Sequence, residues 1–212
     1  MGKNYSPDIV DAVRAYLDAN DWRYTFYEEH GLIRFGLNTH GRIKNIMYNV
    51  NINMTDYNVY AVCPISPDVE NAEEMHRMNE FLARSNYGLC DGNFEMDFRD
   101  GEIRYKTYVN CGDHIPSEET VKKSIQVAAA MYDRYSGGIL GVLFQGETPE
   151  DAVKRCESED DISPSQLREI LQRLQAGSES EEDEDDDDDD DDDTVFLADD
   201  SDDDEDEESD ET

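Results

Sequence analysis

Between Phe94 and Tyr108 the chain alternates strictly, and that alternation permits little other than two paired strands. Phe94, Met96 and Phe98 alternate with Glu95, Asp97 and Arg99; after Asp100-Gly101, Ile103, Tyr105 and Thr107 alternate with Arg104, Lys106 and Tyr108. Asp-Gly between two period-two runs predicts a two-residue type I′ turn, because both central positions need positive φ. That turn predicts the pairs Phe98–Ile103, Met96–Tyr105 and Phe94–Thr107 on one face. The other face then joins Arg99 to Glu102, Asp97 to Arg104 and Glu95 to Lys106, opposite charges each time. Cross-strand pairs contribute roughly 0.2–1 kcal/mol each, and a slip of one residue would exchange the faces.

The sequence before the hairpin supplies a sheet for it to join. Ile46, Tyr48, Val50, Ile52 and Met54 alternate with Asn45, Met47, Asn49, Asn51 and Asn53 within a strand expected over Ile43–Met54, the first set facing a core. Asparagine is a poor strand former, so the Asn49, Asn51, Asn53 row is either a solvated sheet surface or a polar recognition surface for a peptide or another subunit. Tyr24–Glu28, Leu32–Leu37 and Tyr57–Cys63 complete a meander, with turns at His30-Gly31 and Gly41.

Helix starts share an idiom: Ser6-Pro7, Ser66-Pro67, Thr148-Pro149 and Ser163-Pro164. The hydroxyl caps free N–H groups, and proline occupies the first helical position at little cost. The first helix is expected over Pro7–Ala19, a central helix over Asp68–Tyr87, a long one from Ser117, a short one over Pro149–Ser158, and a last amphipathic one over Pro164–Gln175. Met75, Met78 and Leu82 share a face of the central helix with Asn79 and Asn86, which are either bonded to neighbouring backbone or exposed at a site. In the long helix Val121, Ile125, Ala128 and Tyr132 form the apolar stripe. Gly137, Gly138 and Gly141 loosen it or permit close helix packing before the apolar Ile139–Phe144, which is expected against the sheet or a twin subunit. These elements predict an α+β fold: an antiparallel sheet, a meander of about four strands plus a β-hairpin, flanked by helices.

The run Met78-Asn79-Glu80-Phe81-Leu82-Ala83-Arg84-Ser85-Asn86-Tyr87-Gly88-Leu89-Cys90-Asp91-Gly92-Asn93-Phe94-Glu95 resembles the signature of the YbjN family of bacterial domains. A looser likeness extends from about Asp8 to Glu157 and includes Leu143-Phe144-Gln145-Gly146 ahead of a Thr-Pro-Glu helix start. The resemblance implies a fold similar to that of type III secretion chaperones, which are dimers. It also implies a role in regulation or chaperone-like binding, with no established reaction.

Charge divides the 212 residues unevenly. Residues 1–156 carry 24 acidic and 16 basic side chains, a net −8, and the remainder carries −28 of the total −36. The expected organisation is an α+β domain over 1–157, a linker and short helix over 158–177, and an acidic tail over 178–212. The tail holds 25 acidic residues and no basic ones, with nine consecutive aspartates over Asp185–Asp193. Such a segment buries too little apolar area to offset its ordering entropy and is expected to be disordered, repelling nucleic acid and attracting basic protein surfaces. Solubility, capture of basic partners and loose divalent-cation buffering are its three readings. Val195, Phe196 and Leu197 form an apolar island within it, either a spacer or a docking motif.

No catalytic motif is present: no Gly-x-Ser-x-Gly, no phosphate-binding loop, no His-Glu-x-x-His. The four cysteines, Cys63, Cys90, Cys111 and Cys156, are far apart and predict reduced, mostly buried thiols rather than zinc or disulfides. No catalytic residue, cofactor or metal is expected, and neither a cleaved signal nor a membrane span; the cytoplasm is the expected location. The leading expectation is a non-enzymatic, chaperone-like or regulatory protein-binding domain, its tail tuning contact with basic partners. The alternative is a structural or regulatory homodimer whose tail confers only solubility.

Overall fold

A computed structural model describes residues 3–158, which form an antiparallel sheet of six strands flanked by four helices. The expected Pro164–Gln175 helix, the acidic tail and the island Val195, Phe196, Leu197 lie outside those residues. In chain order the elements are α1 (Pro7–Ala19), β1 (Tyr24–Tyr27), β2 (Leu32–Asn38), β3 (Asn45–Ile52), β4 (Asp56–Val62), α2 (Ala72–Asn86), β5 (Asn93–Met96), β6 (Ile103–Asn110), α3 (Glu118–Phe144) and α4 (Pro149–Ser158). The strands lie in the order β1-β2-β3-β4-β6-β5, so the late hairpin joins the meander through β6 and leaves β5 at an edge.

Capping sets most helix starts. Ser6 Oγ accepts the Ile9 N–H at 3.3 Å, Ser117 Oγ accepts that of Thr120 at 3.2 Å, and Thr148 Oγ1 accepts that of Asp151 at 3.2 Å. Ser66-Pro67 does not follow the idiom. Helix α2 begins five residues later, capped by Asn71, whose Oδ1 accepts the Glu74 N–H at 3.2 Å. Pro67 instead lies beneath the hairpin turn, its carbonyl oxygen 2.8 Å from where a Gly101 Cβ would stand.

The hairpin exists, but its turn is not of the expected kind. Observed partners are Met96–Ile103, Glu95–Arg104, Phe94–Tyr105 and Asn93–Lys106, a register displaced by two residues from the type I′ expectation. The Asp97 N–H donates to the Glu102 carbonyl at 2.9 Å and the Gly101 N–H to the Asp97 carbonyl at 2.8 Å, closing a four-residue loop over residues 98–101. Only Gly101 in that loop has positive φ, at 74°. Two side chains explain the preference: Asp97 Oδ1 accepts the Arg99 N–H at 2.9 Å, and Asp100 Oδ1 accepts the Glu102 N–H at 3.0 Å. Such bonds hold aspartate in ordinary negative-φ turn geometry. A displacement of two preserves the faces, so the alternation was read correctly and the partners were not.

The core lies between the sheet and the helices on one face. Ile46, Tyr48, Val50 and Ile52 are buried as their alternation requires, whereas Met54 falls in the β3–β4 turn and is 57% exposed. Burying each Ile or Val side chain contributes roughly 1.5–3 kcal/mol. Opposite them the stripe Val121, Ile125, Ala128, Tyr132 of α3 is buried, and Tyr132 Oη donates to the Ala61 carbonyl at 2.9 Å. Helix α3 continues unbroken through its glycines for 27 residues. Gly138 admits the Phe81 ring, since an added Cβ would lie 2.5 Å from that ring, and Gly141 admits the Glu147 carboxylate. Close packing, not a hinge, is their use. Within the apolar run, Ile139 and Val142 are buried in this chain's own core and Phe144 is 68% exposed.

Candidate functional site

Alternation along each strand leaves a second face, opposite the core. The registers align one residue from every strand into a continuous row: Thr25, Arg34, Asn49, Tyr60, Lys106 and Asn93. Beside it runs Tyr27, Leu32, Asn51, Asn58 and Tyr108; on the other side run Gly36, Met47, Val62, Arg104 and Glu95. Arg34, Asn51, Met47 and Tyr108 are exposed, and Asn49, Tyr60, Arg104 and Lys106 are half-buried by one another.

Cations and rings are layered across this face. The Arg104 guanidinium lies 4.2 Å from the Tyr60 ring centroid, with the Lys106 ammonium at 6.0 Å from the same ring, and Arg34 lies 5.6 Å from the ring of Tyr27. Arg34 Nε also donates to Asn49 Oδ1 at 2.8 Å. Glu95 holds Arg104 at 2.8 Å and Lys106 at 3.4 Å. Burial alone would raise the Glu95 carboxyl, but the Arg104 hydrogen bond and the two cationic charges outweigh it and hold the group below its usual range. On this face Arg34, Arg104 and Lys106 are interleaved with the carboxylates of Glu95, Glu102 and, at the rim, Asp56, so the patch carries both signs within a chain of net charge −36. Carboxamides, phenols and stacked guanidinium groups bind peptide groups and flat or acidic side chains with little loss of rotamer entropy, because they are already packed on one another.

The structure does not gather the asparagines singled out in the sequence. Asn49 and Asn51 lie centrally on the open face. Asn53 has left the strand: its Nδ2 donates to Asp56 Oδ1 at 2.6 Å within the β3–β4 turn. Asn79 is exposed on α2, and the amide of Asn86 is taken up by the backbone of Phe94. Val195, Phe196 and Leu197 lie outside the described residues. Arg34, Asn58, Tyr60 and Tyr108 were not singled out. Arg34 meets Asn49 through the β2–β3 pairing, and Tyr60 and Asn58 meet Asn49 and Asn51 through the β3–β4 pairing, so their places follow from the meander. Tyr108 joins them only through the β4–β6 pairing, which joins residues some fifty positions apart.

Other chemistry is sparse. His30, His40, His76 and His114 are exposed on separate segments, and no group of three or more His, Cys, Asp or Glu side chains among the described residues could hold a metal ion. As expected, the free cysteines are mostly buried: Cys63, Cys111 and Cys156 are buried, the Cys63 thiol being pushed up to about 11 by burial, and Cys90 is exposed. Its exposure follows from its loop, flanked by Gly88 and Gly92 at positive φ. Asp97 is paired with Arg99 rather than Arg104, and that hydrogen bond holds its carboxyl down to about 2. No helix among the described residues is long and apolar enough to cross a membrane.

The model of one protein family, YbjN, described as "Putative bacterial sensory transduction regulator", matches residues 10–140, which span all six strands and most of α3. No curated protein matches the chain.

Proposed function

The chain belongs to the YbjN family, and from that premise we propose that it is a non-enzymatic, chaperone-like regulatory domain that holds a protein segment on its open sheet face. The observation that carries this reading is the six-strand row of Thr25, Arg34, Asn49, Tyr60, Lys106 and Asn93, a preassembled polar and aromatic surface with no helix of the described residues packed over it. Asn49 and Asn51 supply carboxamides at its centre; Tyr60 and Tyr108 supply rings. The domain over residues 1–157 provides recognition in the cytoplasm, and the acidic tail over 178–212 tunes charge selectivity by attracting basic partners over a Debye length of ~8 Å at physiological salt.

Affinity capture from cytoplasmic extract tests both parts. It compares the full-length chain, a chain ending at Gly177, and full-length chains carrying Tyr60→Ala or Arg34→Ala, each washed across a salt series. A shared partner retained at high salt by the first two, and lost by the face variants, supports recognition on the sheet. Basic proteins retained only by the full-length chain and released as salt rises support the tail as an electrostatic arm. Equal retention by the face variants and the parent chain overturns the assignment to the sheet face. Retention of nothing, together with a dimer by sedimentation, moves the homodimer reading to first place.

A further inference from the structure

Helix α4 packs on α2 and α3, and a groove of about 550 Å³ lies between the C-terminal end of α2 and α4. Tyr87 lines it as the C-cap of α2, in extended backbone with φ −67° and ψ 115°. Its ring is 91% exposed, more than any other large apolar side chain among the described residues. Val153 of α4 lines the same groove, and the stems of Arg84 and Lys154 add apolar surface to it. A ring left in water at the mouth of such a groove forgoes the stabilisation that its burial would give.

The chain itself supplies an occupant. Glu157 and Ser158, the last described residues, line the groove, so the chain leaves the described structure from within it. Five residues, 159–163, then precede Pro164. Connections of roughly 2–5 residues join two antiparallel helices into a hairpin. From Pro164 the sequence has the marks of a helix: Ser163 at the cap, proline at the first position, and Leu167, Ile170, Leu171 and Leu174 at spacings of three, four and seven. At ~1.5 Å per residue, residues 164–175 as a helix measure ~18 Å, close to the ~15 Å of α4. An isolated helix of this length is marginal in water, so the stripe needs a surface to bury against. Charge fits as well. Arg168 and Arg173 are the only basic residues beyond position 157, and the turn of ~100° per residue sets them on opposite flanks of the stripe. The groove presents carboxylates to them, Glu150 toward one end of α4 and Glu157 at the other.

We propose that residues 164–175 dock as a helix in this groove, antiparallel to α4, laying Leu167, Ile170, Leu171 and Leu174 over Tyr87 and Val153 with Arg168 toward Glu157 and Arg173 toward Glu150. The folded domain then extends to about Gly177, where the acidic run begins. This docking does not depend on the sheet-face reading, and its test is separate.

The test is hydrogen exchange of the full-length chain, read residue by residue by NMR. The amides of Ile170, Leu171 and Leu174 are expected to exchange at least about tenfold more slowly than in a free peptide of residues 164–175. Tyr87→Ala changes no residue of that segment and removes a ring the domain leaves exposed, so it should abolish most of the slowing. Phe98→Ala, which removes an exposed ring from the hairpin loop, should leave the slowing unchanged. Leu171→Asp should release the segment and shift the amide signals of Tyr87 and Val153. Amide signals of β3 and β4 at their parent positions show that the variants remain folded. Exchange at the free-peptide rate in the parent chain overturns the proposal, as does slowing that survives Tyr87→Ala. Slowing that is lost on dilution, together with a dimer by sedimentation, would place the segment on a second copy and overturn docking within one chain.

Discussion

The side chain of Asn86 engages both backbone polar groups of Phe94: Nδ2 donates to its carbonyl at 2.9 Å and Oδ1 accepts its N–H at 2.7 Å. A carboxamide thus does what a neighbouring strand would do, at the edge strand β5. It ties the C-terminal turn of α2 to the sheet and seats the Phe94 ring, whose centroid is 4.9 Å from that of Tyr105, 5.6 Å from that of Tyr132 and 5.8 Å from that of Tyr135. It also shields part of an edge that would otherwise be open to another chain.

Asn86→Ala removes both bonds and leaves the Phe94 groups part-buried, so it should cost about 1–3 kcal/mol. Asn86→Asp keeps an acceptor for the N–H but sets a charged oxygen against the carbonyl, and should not rescue. Urea denaturation measures both; an Asp variant as stable as the parent would show that the donor half of the contact is idle. The Ala variant should also associate more readily on concentration, read by light scattering.

Gly138→Ala places a methyl 2.5 Å from the Phe81 ring. Overpacking of this kind costs about 1–3 kcal/mol. Phe81→Leu in the same chain frees space at that contact, so the double variant should be less destabilised than the sum of the singles. Strict additivity would place the strain elsewhere.

Glu95 is held below its usual carboxylate range in the folded chain by Arg104 and Lys106. A depressed folded pKa contributes stability that is fully present above the unfolded value and is lost as pH falls through the folded one. Glu95→Gln should therefore destabilise at neutral pH by about 1 kcal/mol, discounted for partial exposure. The gap should close progressively as pH falls below the ordinary glutamate range and through the lower value of the folded chain, where the parent carboxyl becomes protonated. A gap that persists at low pH would mean that shape rather than charge is at issue.

The hairpin turn can be tested by a single glycine. In a two-residue type I′ turn Asp100 would have positive φ, and Asp100→Gly would stabilise. In the observed loop Asp100 accepts the Glu102 N–H at 3.0 Å, so Asp100→Gly should cost about 0.5–1.5 kcal/mol. Gly101→Ala should cost about 1 kcal/mol or more, because φ is 74° and the Pro67 carbonyl leaves no room.

Much of the fold was legible. Alternation in Ile46–Ile52 marked a core strand, the caps at Ser6 and Thr148 marked helix starts, and the signature around Met78–Glu95 marked the family. Where the reading failed, two local preferences competed. Asp-Gly is a strong type I′ signal, yet Asp97 and Asp100 also bond backbone in ordinary turns; Ser66-Pro67 is a good helix start, yet Asn71 caps equally well and Pro67 is used beneath Gly101. Local sequence does not rank such alternatives, because the deciding contacts come from elsewhere in the chain.

By itself, then, the sequence determined period and punctuation: which residues alternate, where most helices of the domain begin, and which family the chain resembles. The tertiary structure decided what lies next to what. Joining β6 to β4 brings Tyr60 beside Lys106 and completes the polar row; packing α4 on α2 brings Val153 into one groove with Tyr87. Such neighbours are separated by roughly 46 and 66 positions. Loop-closure entropy makes their meeting depend on the packed core as a whole, so no local pattern records it.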